Sequence, residues 1–254
     1  MHGPDLRPLS LGEVLDTSLG IYRQQFTALL LISILTQGAP LALGVYVEAS
    51  GGIVQQPALW TLSVGLALVL GSVGTAASTF VVANAYLGTA ITWQDAFLRS
   101  TPFMGRLIGT SMLVSLVVGV GFVVFVIPGV ILLSGLVLAS PALVLEDLPG
   151  GTPAMARSWA LSRDFRRRIL AALLVAVMLL LIPGVALGSL AAVGAGATLS
   201  EGTLALVAMI VTAALQVLVY PYFYVLTTVL YYDLRVRKEA LDLEMLARSL
   251  PQLR

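Results

Sequence analysis

Residues 107–145 read LIGTSMLVSLVVGVGFVVFVIPGVILLSGLVLASPALVL, with no charged side chain and one interruption, Ile127-Pro128-Gly129. About 20 apolar residues at 1.5 Å rise cross a roughly 30 Å hydrocarbon core, so this stretch suffices for two crossings. Proline followed by glycine predicts a tight turn between them. The same reading extends in both directions. Residues 26–47, between Arg23 and Glu48, form one span, and residues 59–87 form another after a loop at Ser50-Gly51-Gly52 through Gln55-Gln56-Pro57. Residues 169–189 and 203–232 flank a small-residue stretch, Gly194-Ala195-Gly196-Ala197-Thr198-Leu199-Ser200, that ends at Glu201. With 107–126 and 130–145 the spans number six. Composition agrees: 58% of the chain is hydrophobic and 11% charged, against about 45–50% and about 25% in soluble domains. Too few charges remain to cover a water-facing surface. The absence of cysteine excludes disulfides, thiolate nucleophiles and cysteine-ligated metals.

The basic residues set the orientation. Arg7 and Arg23 precede the first span, and Arg99 and Arg106 lie between the second and third. Arg157, Arg163, Arg166, Arg167 and Arg168 lie between the fourth and fifth, and Arg235, Arg237, Lys238, Arg248 and Arg254 follow the sixth. All 14 fall on one side, and the opposite loops carry only Glu48 and Glu201. The positive-inside rule places that side, with both termini, in the cytoplasm. The first apolar run extends to Val47, beyond the about 7–15 residues of a cleavable signal's core, so no such signal is expected.

A pattern repeats three times. Ser10-Leu11-Gly12-Glu13 has the form of a capping box, followed by Leu11, Val14, Leu15, Leu19, Tyr22 and Phe26 at helical spacing. Thr92-Trp93-Gln94-Asp95 opens a second copy, with Trp93, Ala96, Phe97 and Met104 on one face. Thr152-Pro153-Ala154-Met155 opens a third, with Met155, Trp159 and Ile169 facing lipid or core. Pro40, Pro128 and Pro183 follow at similar intervals. The expectation is an all-α polytopic membrane protein, a single integral domain over 1–254. Its six transmembrane helices form three hairpins, each preceded by a cytoplasmic interfacial amphipathic helix at 10–24, 92–104 and 152–165. A cytoplasmic C-terminal helix over 233–250 carries Val236, Ala240, Leu243, Ala247 and Leu250 on one stripe and is stopped by Pro251.

Site chemistry is sparse. The one histidine is His2, and no metalloprotease, P-loop, nucleophile-elbow or dinucleotide motif occurs. Glu13, Asp16, Asp95, Glu146 and Asp147 read as solvated or capping acids. No ionisable Asp, Glu, His, Lys or Arg lies within a span, where ion-coupled carriers usually need one. Of the polar residues at depth, Asn84 and Gln216 suit either hydrogen bonds between helices or a cavity lining. Ala67, Gly71 and Thr75, and Gly184 with Gly188, have the spacing of close helix contact, and Tyr231-Tyr232 suits an interfacial aromatic anchor. One cluster exceeds background: Arg157, Arg163, Arg166, Arg167 and Arg168 stand against the single acid Asp164. Such a cluster fixes topology, or attracts anionic lipid at about 1 kcal/mol per residue or a partner's carboxylates.

The run Leu6-Arg7-Pro8-Leu9-Ser10-Leu11-Gly12-Glu13-Val14-Leu15-Asp16, continued by Ile21-Tyr22-Arg23 and Phe26, resembles the start of the membrane domain attached to some bacterial glycerophosphodiester phosphodiesterases. Many stand-alone membrane proteins of unknown function share that domain. Ile127-Pro128-Gly129-Val130-Ile131, Ser140-Pro141-Ala142-Leu143-Val144-Leu145-Glu146 and Ala156-Arg157-Ser158-Trp159-Ala160-Leu161 are similar to its central stretch. The resemblance implies a bacterial inner-membrane protein with six helices. It carries no enzymology, because hydrolysis in the fused enzymes belongs to a separate soluble barrel using metal-binding acids and histidines.

These readings converge on a non-catalytic membrane scaffold or accessory subunit, without cofactor or metal. Its partners are the bilayer, including anionic phospholipids, and other membrane proteins or further copies of itself, with no nucleic acid. Two alternatives stay open: a permease-like subunit working with a separate ATPase, and a lipid-headgroup enzyme with Glu13, Asp16 or Asp95 as acids. The topology is testable because the chain lacks cysteine. In intact cells an impermeant thiol reagent should label Glu201→Cys and leave Arg163→Cys unlabelled; the reverse pattern would overturn the orientation.

Overall fold

The structure, a computed structural model, describes residues 7–89, 91–195 and 201–240. Its regular elements are all helical among these residues. They are α1 (Leu11–Gln24), α2 (Phe26–Ala49), the single turn α3 (Gly52–Gln55), α4 (Pro57–Tyr86), α5 (Trp93–Ser100), α6 (Met104–Val124), α7 (Val126–Leu136), α8 (Ala139–Leu145), α9 (Gly151–Ser162), α10 (Arg166–Ala195) and α11 (Glu201–Glu239). A 3₁₀ turn, Thr101–Phe103, joins α5 to α6. Six stretches are long and apolar enough to cross a membrane: Phe26–Ala49, Pro57–Tyr86, Trp93–Val124, Val126–Leu145, Arg166–Ala186 and Leu206–Glu239. His2 and residues 241–250 of the expected C-terminal helix lie outside the described residues. Residues 233–239 continue α11 and do not begin a new helix.

Two of the three expected caps form. The Ser10 hydroxyl accepts the Glu13 N–H at 3.2 Å, and the Glu13 carboxylate accepts the Ser10 N–H at 2.6 Å, closing a capping box. Thr92 accepts the Asp95 N–H at 3.1 Å, but the Asp95 carboxylate accepts the Thr92 hydroxyl and not its backbone N–H; aspartate is one methylene too short to reach back. The third copy begins differently. Gly150 precedes the helix, Gly151 opens it and Thr152 makes no cap. A Cβ at Gly151 would stand 2.9 Å from the Leu113 side chain and 3.2 Å from the Thr110 Cα, so glycine lets the start of α9 press onto α6.

Three further expectations are corrected. The break in the central apolar stretch falls at Phe125, which is fully extended (φ −167°, ψ 153°), and not at the Pro128-Gly129 pair. Pro128 sits in the first turn of α7, where its missing N–H costs no helical hydrogen bond. The buried side of α1 is Val14, Ser18 and Ile21, while Leu19 of the expected stripe is exposed, because α1 packs against α11. Tyr231 and Tyr232, expected as interfacial anchors, are buried in the core. The Tyr231 hydroxyl donates to Glu146, and Tyr232 stacks on Tyr86 at 5.0 Å between ring centroids.

The helix α11 touches α1, α2, α4, α8, α9 and α10. Its residues Tyr222, Val225, Leu226, Val229, Leu230 and Leu234 pack with Leu29 and Ile32 of α2, Val81 and Val82 of α4, and Ile169 and Ala172 of α10. This core lies toward the end of the bundle that carries the basic residues. At the other end Tyr46, Val123, Phe125, Ile127, Ile182 and Val185 are exposed, an apolar flank that water would not solvate.

Where the backbone ladder is broken, side chains from neighbouring helices take the freed carbonyls. Pro221, inside α11, has no N–H for the Val217 carbonyl, and the Ser33 hydroxyl of α2 donates to it at 2.9 Å. One residue on, the Tyr22 hydroxyl of α1 donates to the Leu218 carbonyl at 2.7 Å. At the gap between α7 and α8, the Gly135 carbonyl accepts Ser158 at 2.7 Å and Ser162 at 3.2 Å, both on α9. A Cβ on Gly135 would lie 2.4 Å from the Trp159 ring.

Close approach of α2 and α4 depends on Gly74, where a Cβ would fall 2.6 Å from Thr36 Oγ1. Gly65, in the same helix, has open space around it. Gly74→Ala should therefore lower the thermal midpoint of the detergent-solubilised protein, at a cost of about 1–3 kcal/mol from overpacking. Gly65→Ala should leave it unchanged or raise it; equal effects would mean that Gly74 is not a contact.

Candidate functional site

The charged residues converge on one end of the bundle, around two carboxylates. The first is Asp233 on α11, whose side chain is fully buried. Its oxygens accept the Leu9 N–H at 2.9 Å, Arg168 Nε at 3.1 Å and Arg237 Nε at 3.2 Å. The same two arginines donate to the Leu9 carbonyl, Arg168 at 2.6 Å. Asp233 thus ties the segment before α1 to the first turn of α10 and the last turns of α11.

The second carboxylate is Glu146, at the C-terminal end of α8. Arg157 Nε donates to both of its oxygens, at 2.7 and 2.8 Å, and the Tyr231 hydroxyl donates at 2.6 Å. Both terminal nitrogens of Arg157 donate to Glu239, which also accepts Arg235 Nε at 2.9 Å. The hydrogen bonds that Arg157 donates to Glu239, followed by those to Glu146, hold its pKa above the ordinary value despite partial burial. Lys238 closes the cluster, donating to the Ala160 carbonyl at 2.7 Å and pairing with Asp164 at 2.6 Å; that contact lowers the Asp164 pKa. Glu146, expected as a solvated or capping acid, is largely withdrawn from water and held by three hydrogen bonds from two donors, Arg157 and Tyr231. Asp147 is exposed and pairs with Arg106 at 2.9 Å.

The five arginines of the sequence cluster part company here. Arg157 and Arg168 are committed to carboxylates within the chain. Arg166 lies over the Trp159 ring, its guanidinium carbon 4.0 Å from the centroid, and its buried Nε has no hydrogen-bond partner. Arg163 and Arg167 are exposed and within 4 Å of no carboxylate among the described residues. Of the two amides singled out in the sequence, Asn84 bonds within its own segment, donating to the Phe80 carbonyl at 2.8 Å and accepting the Thr89 hydroxyl at 2.9 Å. Gln216 lines a groove of about 500 Å³ between α2 and α11, together with Pro40, Gly44 and Glu48.

The acids of α1 face a cleft of about 380 Å³ bounded by Arg7, Glu13, Asp16 and Tyr86. The Arg7 guanidinium, and after it the Ser10 backbone N–H, hold the Glu13 carboxyl at about 2, below its ordinary 4.5. Near neutrality Glu13 is therefore an acceptor and not a proton donor. No group of three or more His, Cys, Asp or Glu side chains placed to hold a metal occurs among the described residues. One half of the Asp233 arrangement carries a local signal, since Asp233 and Arg237 stand four apart on a helix. Nothing local pointed to Leu9 or Arg168. Compared with family models, with curated proteins and with solved structures, the chain gives no match.

Two outcomes follow from this geometry. Asp233→Ala leaves the Leu9 N–H without its acceptor and two largely buried guanidinium groups without their carboxylate, a change that costs up to about 3–5 kcal/mol. Hydrogen exchange at Leu9 and Ser10 should accelerate in Asp233→Ala relative to the parent, and unchanged protection would contradict the tie. Glu13 should titrate near pH 2: its pKa is depressed by folding, so its contribution to the α1 cap is complete above 4.5 and lost as the pH falls toward 2. A carboxyl carbon NMR midpoint at the ordinary value would show that Arg7 does not hold it.

Proposed function

We propose that the chain is a non-catalytic scaffold or accessory subunit of the bacterial inner membrane, organising lipids or a membrane protein complex. In this reading its six spans form three hairpins, each introduced by an amphipathic helix at the cytoplasmic interface, and both termini are cytoplasmic. The observation that carries it is the division of the molecule into two ends. One end is a closed set of ion pairs that joins Leu9, α8, α9, α10 and α11. The other leaves large apolar side chains uncovered on several helices. A rigid charged face over an open apolar flank suits lateral association within a bilayer. Sorting of all basic residues to one side supports the orientation, and the likeness of residues 6–16 and 127–131 to the phosphodiesterase membrane domain supports the bacterial inner membrane. The largely buried, multiply hydrogen-bonded state of Glu146 and the ionised state of Glu13 favour structural over acid–base roles for these acids.

Photo-crosslinking side chains placed at the exposed positions Leu116 and Ile182 test the reading in native membranes. The expected result is a saturable adduct with one membrane protein, or with a lipid class enriched over the bulk bilayer. Adducts that mirror bulk lipid at both positions, with no protein captured, would overturn it. Stoichiometric co-purification of a soluble ATPase would replace it with the permease-subunit reading.

A further inference from the structure

Below the exposed Arg167, the face of α10 that points away from the bundle is apolar. An ideal helix places Leu174 and Met178 within about 20° of Arg167 around the axis, and Leu174 about 10 Å below it. Leu174 is 59% exposed. With Val175, Met178, Ile182 and Pro183 it forms a shallow groove of about 340 Å³ whose walls are almost entirely apolar. Arg167 stands about two turns before the groove on α10, and Arg163, next to Asp164, follows the end of α9 four residues earlier; both are exposed and neither has a carboxylate within 4 Å among the described residues. Arg166 lies beside them, held flat on Trp159 with its buried Nε unused. The third arginine of the first turn, Arg168, points inward to Asp233.

We infer that this face of α10 is a binding site for one anionic phospholipid. Arg163 and Arg167, with Arg166 behind them, take the phosphate, and the groove over Leu174, Val175 and Met178 takes an acyl chain. The inference rests on the membrane-scaffold reading and adds the ligand. Three features converge on the same occupant. Guanidinium groups match phosphate oxygens with paired hydrogen bonds. The first turn of α10 carries no acid, so three arginines there oppose the helix dipole, and a bound anion relieves that repulsion. The apolar groove begins where the charges end, which is the arrangement of headgroup and tail in a lipid. A free phosphate would satisfy only the first two features, and a protein segment would have no need of charge and groove in this order.

Native mass spectrometry of the full chain, extracted in detergent and exchanged with phosphatidylglycerol and phosphatidylcholine, tests the assignment. The parent should retain one phosphatidylglycerol in preference to phosphatidylcholine. Arg163→Gln with Arg167→Gln should reduce that retention about 30-fold, as expected for two basic residues at an anionic surface. Arg99→Gln, which removes an exposed arginine elsewhere, should not. Val175→Trp, which fills the groove and keeps every arginine, should also lose the lipid. Undiminished retention in the double variant would overturn the site, as would undiminished retention in Val175→Trp, the result expected of a phosphate site with no acyl groove. Thiol labelling of Glu201→Cys in the same background separates the two levels. Loss of lipid with normal labelling supports the site. Retained lipid with normal labelling removes the site and leaves the scaffold reading intact, and reversed labelling overturns both.

Discussion

A carboxylate with no exposure to solvent needs a full set of donors, because leaving its charge unpaired in the interior costs several kcal/mol. Asp233 obtains them from the backbone of Leu9 and from Arg168 and Arg237, groups separated from it by as many as 224 positions in the chain. Both arginines have hydrogen-bonding capacity left over and spend it on the Leu9 carbonyl. Buried ion pairs of this kind contribute less to net stability than to position, since removing charges from water offsets much of their attraction. What Asp233 supplies is registry. It fixes where α1 begins relative to α10 and α11, and so decides which side of α1 is covered.

The remaining tertiary specificity follows the same economy of polar groups. A helical backbone in an apolar surround must keep every carbonyl satisfied, and this chain interrupts its own ladders at Pro221 and at the α7–α8 gap. Each interruption becomes a docking point: Ser33 reaches the carbonyl left by Pro221, and Ser158 and Ser162 reach Gly135. Glycine makes room for close approach at one of these breaks, where Gly135 faces Trp159, and also between α2 and α4, where Gly74 faces Thr36. The breaks therefore determine which helices meet, and the apolar residues around them fill the space.

Long apolar runs made the six spans legible in the sequence, with most boundaries close to those observed: 26–47 became Phe26–Ala49 and 59–87 became Pro57–Tyr86. Length and hydropathy are local properties, and a helix in lipid has few alternatives. The turn between α6 and α7 was misplaced because proline was read as the break, when its fixed φ suits the first turn of the helix that follows. The α1 stripe was legible in part: Val14 is buried and Leu11, Leu15 and Tyr22 pack against the core, whereas Leu19 is exposed and the covered side also takes in Ser18, whose hydroxyl donates to the Val14 carbonyl. The basic cluster was legible as a cluster. Which of its arginines reach a carboxylate was not, since Arg168 finds Asp233 65 positions away and Arg157 finds Glu239 82 positions away.

The helices also differ in length, and this has a consequence for the surrounding bilayer. At 1.5 Å per residue, the 30 residues of α4 measure about 45 Å and the 21 residues of α6 about 31 Å. The crossing after α6 is assembled from α7 and α8, of 11 and 7 residues. A bilayer of one thickness cannot match both sides of such a molecule. Longer helices accommodate by tilting and shorter ones by drawing the leaflets together. Set against a roughly 30 Å hydrocarbon core, α6 matches the bilayer nearly upright, whereas α4 exceeds it and calls for tilt or a locally thicker bilayer.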